Sequence, residues 1–133
     1  MFAESIRKTW EINACDINLR NPQWAQWVQN SVLPMCAEQL GLSLETKPFI
    51  HAELYKLLLY EEGAHFKPHR DSEKAPGMFA TLAICLPSQF EGGDLVLEFG
   101  EERLVWNSSV SSFVDVSVAA WCVSHCAHTR PTI

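Results

Sequence analysis

The stretch MFATLAICLPSQFEGGDLVLEF, residues 78–99, decides the fold class of this chain. It begins with an apolar run of strand length that stops at Pro87. A Gly-Gly turn precedes a second run, in which Leu95, Leu97 and Phe99 alternate with other residues and are expected to share one face. A period of two is typical of a β-strand, and glycine and proline mark the turns between strands. The stretch therefore predicts two strands joined by a loop.

Short apolar segments with turn signals between them continue on both sides of this stretch. They are residues 49–60, 65–71, 104–106, 112–118 and 119–124. Short strands at this spacing favour a β-sandwich or a barrel. The sequence after residue 48 therefore predicts a mainly β fold.

Residues 1–48 show a helical pattern instead. An Asn-Pro pair at 21–22 is typical of a helix start, because asparagine caps the first turn and proline there loses no hydrogen bond. Pro34 predicts a kink or a break, and Gly41 predicts the helix end. We therefore expect a helical N-terminal support, residues 1–48, followed by a β-rich unit, residues 49–133.

Composition limits the classes of function. The chain has 133 residues with 10 basic and 16 acidic side chains, a formal net charge of -6, so it fits one domain and no nucleic-acid partner is expected. No apolar run has the length of a membrane span, and the charged N-terminus does not resemble a signal peptide. Five scattered cysteines predict reduced thiols. These features predict an intracellular protein, cytoplasmic or nuclear, with no membrane partner.

Two His-x-acid pairs could contribute metal ligands. His69 and Asp71 would project from the same face of a strand, and so would His51 and Glu53. Together with a distant second histidine, such a pair forms the 2-His-1-carboxylate site of non-haem Fe(II) oxygenases. Spacing alone does not separate the two pairs.

Residues 54–97, LYKLLLYEEGAHFKPHRDSEKAPGMFATLAICLPSQFEGGDLVL, resemble the 2-oxoglutarate/Fe(II)-dependent dioxygenases of the prolyl 4-hydroxylase-like kind, and most closely a fungal group of such domains. Three motifs carry the resemblance: Tyr60 and Gly63 ahead of His69-x-Asp71, the apolar segment containing Thr81, and Glu91-Gly92-Gly93-Asp94-Leu95. The resemblance implies a double-stranded β-helix (jelly-roll, cupin-like) with the metal between two sheets. It favours the pair at 69 and 71 over the pair at 51 and 53.

The family pattern also indicates the third ligand. In the family a small-small-aromatic segment is followed, after a few residues, by Cys-x-His, and residues 119–121 and 126–128 match these two parts. His128 is therefore the predicted third ligand. His125 is the alternative, because the interval that leads to His128 is one residue longer than usual.

The resemblance implies the following site. His69, Asp71 and His128 hold Fe(II), 2-oxoglutarate chelates the iron, and dioxygen takes the last position. Tyr60 hydrogen-bonds the co-substrate and Thr81 lines its pocket. The expected activity is hydroxylation or a related oxidation of an unidentified small-molecule or protein substrate.

The sequence departs from the family pattern near its end. The family anchors the distal carboxylate of 2-oxoglutarate with an Arg or Lys on the strand after the second histidine. Arg130 is too close to His128 to take that place. Lys67, which shares strand parity with His69, could substitute in principle, but we expect it to be a solvated lysine. We therefore expect a β-helix that lacks its last strand or strands, with activity impaired as a consequence.

Two other functions remain open at this point. One is a non-catalytic metal-binding or structural relative of the family. The other is a small zinc site formed by the closely spaced Cys122, His125, Cys126 and His128, although structural zinc sites usually take their ligands from two separated pairs.

Overall fold

A computed structural model describes residues 9–43, 45, 49–107, 109, 116–122 and 126–129, the last four as backbone only. These residues form two compact units. One is Glu11–Leu57, and the other combines residues 9–10 with the described residues from Leu58 onward. The helical residues lie in the first unit, and the strands that carry His69 and Thr81 lie in the second.

The predicted N-terminal helix is present, and it begins two residues after the proline. A turn in which the Asn21 side chain accepts the Gln23 backbone N–H leads into helix α1, Trp24–Trp27. A π-helical turn, Val28–Val32, and helix α2, Leu33–Gln39, follow without interruption.

Of the two outcomes expected at Pro34, a kink or a break, the break does not occur, because the helical segment continues through this residue. Pro34 occupies the first turn of α2, directly after the π-helical turn. The extra residue of a π-helical turn shifts the hydrogen-bonding ladder, and the missing proline N–H is tolerated at that position. The prediction that Gly41 ends the helix is confirmed: it has a φ of 75°, and the Leu42 and Gly41 N–H groups bond back to the carbonyls of Ala37 and Glu38.

The rest of the described chain is mainly β. Its strands are β1 (Thr9–Asn13), β2 (Lys56–Tyr60), β3 (His69–Arg70), β4 (Ala80–Cys85), β5 (Leu95–Phe99), β6 (Glu102–Trp106), β7 (Ser117–Cys122) and β8 (Cys126–Thr129). They form three sheets, in the orders β1-β2, β3-β8-β5-β6 and β4-β7. The pairings in the four-stranded sheet and in the β4-β7 sheet are antiparallel. Within the described residues the sheets do not close into a barrel.

Several predicted strands differ in extent from the observed ones. The run at 49–60 forms a strand only at Lys56–Tyr60, and the predicted segments 112–118 and 119–124 contribute to one strand, Ser117–Cys122. Strand β1 was not predicted, although Trp10 and Ile12 alternate with polar residues along it. The period-two signal was therefore present in the sequence and was missed. The strand pairs with β2.

The four-stranded sheet and the β4-β7 sheet meet at a small core. Leu97 of β5 and Trp121 of β7 are buried against each other, with Ala83, Leu95 and Ala119 around them. Leu95, Leu97 and Phe99 occupy alternate positions of β5, as expected for residues on one face of a strand. Burial does not follow this face alone, because Val96 is fully buried and Phe99 at the strand end is 53% exposed.

Candidate metal site between the two larger sheets

His69 and Asp71 lie at the junction of β3 with the loop that follows it. The Nε2 atom of His69 is 3.6 Å from the Oδ1 atom of Asp71. In an octahedral shell, two adjacent ligands that each lie about 2.1 Å from one ion are about 3.0 Å apart. The observed separation is longer than this by about 0.6 Å, so the two side chains must move slightly closer together to bind a common ion.

The backbone fixes the orientation of the His69 ring. Its Nδ1 atom is 2.8 Å from the carbonyl oxygen of Lys67. Because a carbonyl oxygen only accepts, Nδ1 carries the proton, and in the neutral ring Nε2 then has a free lone pair. Nε2 and the Asp71 carboxylate thus present two electron-pair donors to the same space, which is what a cation requires.

The other oxygen of Asp71 is held by the opposite sheet. Its Oδ2 atom accepts hydrogen bonds from the Thr81 hydroxyl at 2.7 Å and from the Trp121 indole N–H at 3.0 Å. Thr81 and Trp121 are direct partners in the register of β4 and β7. Asp71 therefore joins the four-stranded sheet to the β4-β7 sheet, and its Oδ1 atom remains oriented toward His69.

Aromatic rings support the same side of the site. Phe66 lies beside His69, with ring centroids 5.8 Å apart, and Tyr60 contacts Phe66 edge-on at 5.5 Å. Tyr60, predicted to bind the co-substrate, is thus one ring removed from His69. Thr81, predicted to line the co-substrate pocket, directs its hydroxyl to the Asp71 carboxylate.

The loop after Asp71 is folded on itself. The Glu73 carboxylate accepts the Gly77 N–H at 2.8 Å, and the Lys74 N–H contacts the Met78 sulfur at 3.3 Å. The Lys74 ammonium also bonds the Ser72 hydroxyl at 2.7 Å. These contacts restrict the backbone of the loop that follows Asp71.

The predicted third ligand is placed only at the level of the backbone. His128 lies on β8, the strand directly hydrogen-bonded to β3. The register sets Ala127 opposite His69 and sets His128 opposite Val96 of β5. Directly opposite residues share a face of the sheet, so this backbone register puts position 127 on the face of His69 and position 128 on the other face, which does not favour the prediction. For His128 the structure describes the backbone but not the side chain, and His125 lies outside the described residues.

The site residues whose side chains the structure describes supply two ligands. Among all described side chains, no three of the His, Cys, Asp and Glu type gather into a metal-binding group. In the alternative pair, His51 Nε2 and Glu53 Oε1 are 3.3 Å apart at an exposed position. Of the four candidate zinc ligands, only Cys122 has a described side chain, half-buried on β7.

The sequence did not predict a role for Trp121 at Asp71. In the sequence analysis, Trp121 served only to match the small-small-aromatic segment that precedes His128. A buried tryptophan needs an acceptor for its indole N–H, and that requirement was the available signal. The acceptor lies fifty positions earlier in the chain, and its identity becomes apparent only once β3, β4 and β7 are assembled.

Comparisons with known proteins add no assignment: no family model, no curated protein and no solved structure matches the chain. In the described part of the chain, no helix combines the length and the apolar character that crossing a membrane requires.

Proposed function

We propose that the chain is a Fe(II)/2-oxoglutarate-dependent dioxygenase-like domain. The observation that carries the proposal is the pair formed by His69 Nε2 and Asp71 Oδ1, 3.6 Å apart, with the imidazole proton directed away from the pair. His128 on the neighbouring strand is the proposed third ligand, and His125 is the alternative. An imidazole, a carboxylate oxygen and a second imidazole form the donor set of a non-haem iron site.

Strand pairing supports the finer fold assignment, a double-stranded β-helix. The pairs β5-β6, β4-β7 and β3-β8 are nested around a single hairpin, so the chain resembles one long antiparallel ribbon. Successive pairs of this ribbon alternate between two sheets, and β5 also pairs with β8. A ribbon rolled in this way is the basis of a jelly-roll.

Each group has a defined task in this proposal. Bound Fe(II) with 2-oxoglutarate and dioxygen would supply the oxidising chemistry. His69 and Asp71 hold the ion, while Thr81 and Trp121 fix the carboxylate. Tyr60, which contacts Phe66 beside the site, is the proposed hydrogen-bonding partner of the co-substrate.

The proposed substrate is a small molecule or a protein side chain, and nucleic acid is not proposed because acidic residues exceed basic ones by 16 to 10. A cytoplasmic or nuclear location remains a prediction.

The experiment that tests the proposal is anaerobic titration of the purified chain with Fe(II), followed by measurement of succinate formed from 2-oxoglutarate in air. We expect saturable binding of one ion and slow succinate formation without added substrate. His69→Ala and Asp71→Ala should each weaken binding about 100-fold or more, because each removes a ligand of the ion. Unchanged Fe(II) affinity in both variants would refute the proposal.

The matched control is His51→Ala. It removes the histidine of a pair with the same spacing, and it should leave Fe(II) affinity unchanged. His125→Ala and His128→Ala decide the third ligand, since only one of them should weaken binding as strongly as His69→Ala.

Two outcomes identify the alternatives. Fe(II) binding without succinate formation indicates a non-catalytic relative of the family. Zinc binding that protects cysteines from alkylation until a chelator is added indicates a site at Cys122 and Cys126, because the proposed iron site uses no thiol.

A further inference from the structure

We infer that Trp121 and Thr81 are positioning residues that hold one oxygen of Asp71 and make this carboxylate a ligand through its other oxygen only. The inference rests on the proposed function, because it concerns how Asp71 meets a metal ion. It assigns to Trp121 a role that the family resemblance does not specify.

The hydrogen-bonding capacity of the carboxylate is the first step. A carboxylate oxygen has two lone-pair positions. On Oδ2 of Asp71 both are matched by donors, the Thr81 hydroxyl at 2.7 Å and the Trp121 indole N–H at 3.0 Å. An ion that approached both oxygens at once would have to displace one of these donors. The remaining oxygen, Oδ1, faces His69 Nε2.

The rigidity of the two donors is the second step. Trp121 is only 8% exposed and packs against Leu97 in the core between the sheets. Thr81 lies opposite it in a six-pair antiparallel register. A core aromatic ring and a strand threonine have little rotational freedom, so both hydrogen bonds are defined before an ion arrives.

The functional consequence concerns the coordination number. A carboxylate that binds through one oxygen occupies one of six octahedral positions, and with two histidines it leaves three positions for co-substrate and dioxygen. A carboxylate that binds through both oxygens would occupy one of those three. The two hydrogen bonds to Oδ2 therefore keep free the third coordination position, so that both co-substrate atoms and dioxygen can bind the ion.

The test uses Co(II), a spectroscopic substitute for Fe(II), with the full chain and the variants Trp121→Phe, Thr81→Val and the double variant. Each change removes a donor and keeps most of the side-chain volume. We expect Co(II) affinity to fall about 10-fold for each single variant, within the range known for residues that support a ligand, and further for the double variant. The visible Co(II) spectrum should also change, because its intensity depends on coordination number.

The controls separate this role from a merely structural one. Trp24→Phe makes the same chemical change in a tryptophan that contacts Trp27 in the helical unit, and Thr81→Ser keeps the hydroxyl. Both should retain wild-type affinity and spectrum. Trp121 emission should also respond to Co(II) in the wild type and in Trp24→Phe, and this response should disappear in Trp121→Phe.

Wild-type affinity and spectrum in the double variant would overturn the inference while leaving the proposed function intact. Failure of the wild-type chain to bind any divalent ion would overturn both. If circular dichroism shows that Trp121→Phe does not fold, Thr81→Val alone decides, since a valine of nearly equal size fills the same position on β4.

Discussion

Two His-x-acid pairs with the same spacing have very different surroundings in this molecule. The side chains of His51 and Glu53 are 71% and 69% exposed, and they bond to each other. The side chains of His69 and Asp71 are 44% and 21% exposed, and both have further partners: a backbone carbonyl fixes the imidazole, and two donors on the opposite sheet fix the carboxylate. Spacing brings two candidate ligands together in both cases, but only the second pair has orientations that the rest of the fold determines.

In the metal-free chain, the largest difference that we expect between the pairs is in the free energy of unfolding. Asp71→Ala removes the acceptor of a buried indole N–H and of a hydroxyl, which should lower the free energy of unfolding by about 2 kcal/mol. Glu53→Ala removes an exposed partner and should change it by less than about 0.5 kcal/mol. Urea denaturation of the metal-free chain measures both values. Equal effects would contradict the difference in support.

A second prediction extends the comparison to Cys15 and Cys36, two residues of the same type that differ in burial. Burial raises the pKa of the Cys36 thiol, whereas Cys15 is exposed. Since the thiolate is the reactive form, Cys36 should react with iodoacetamide at neutral pH about 10-fold or more slowly than Cys15. Mass spectrometry of the labelled peptides gives the two rates, and similar rates would show that helix α2 opens readily.

The same thiol predicts the direction of a pH effect on stability. With a higher pKa in the folded state, Cys36 keeps its proton when the unfolded chain has lost it. Stability should therefore be complete below the ordinary thiol range and should fall as pH rises through it. Cys36→Ala should remove this part of the alkaline slope in denaturation experiments between pH 7 and pH 10.

The smallest effect is expected at the exposed pair itself. A double-mutant cycle with His51→Ala and Glu53→Ala should give a coupling energy of about 0.3 kcal/mol, and it should shrink further in high salt. A coupling above about 1 kcal/mol would mean that this pair is more strongly organised than its exposure indicates.

Local chemistry explains which parts of the fold were predictable from sequence. The helix end at Gly41 was predictable because it depends only on this glycine and the helical turn before it. Strands β4 and β5 were predictable because each is an apolar run bounded by proline or glycine. Strand β1 was missed although Trp10 and Ile12 alternate with polar residues, because the N-terminal region was interpreted as helical. The absence of a break at Pro34 could not be predicted because it depends on the π-helical turn before the proline.

At the candidate site, too, some features were predictable from sequence and others were not. The proximity of His69 and Asp71 follows from spacing on a strand, and sequence was sufficient for it. The two donors to Asp71 come from β4 and β7, and Trp121 could be identified only when those strands were paired. The third ligand stays a prediction.

The nested arrangement of the strands has a consequence for the order of folding. The hairpin of β5 and β6 turns at Gly100, whose φ of 59° suits a tight turn, so it closes over a short loop. Each pair outside it joins residues farther apart along the chain and loses more chain entropy on closure. We expect the pairing of β3 with β8 to form late, and the ligands at 69 and 71 to reach their final arrangement only near the end of folding. An ion that binds there would select molecules that have completed folding.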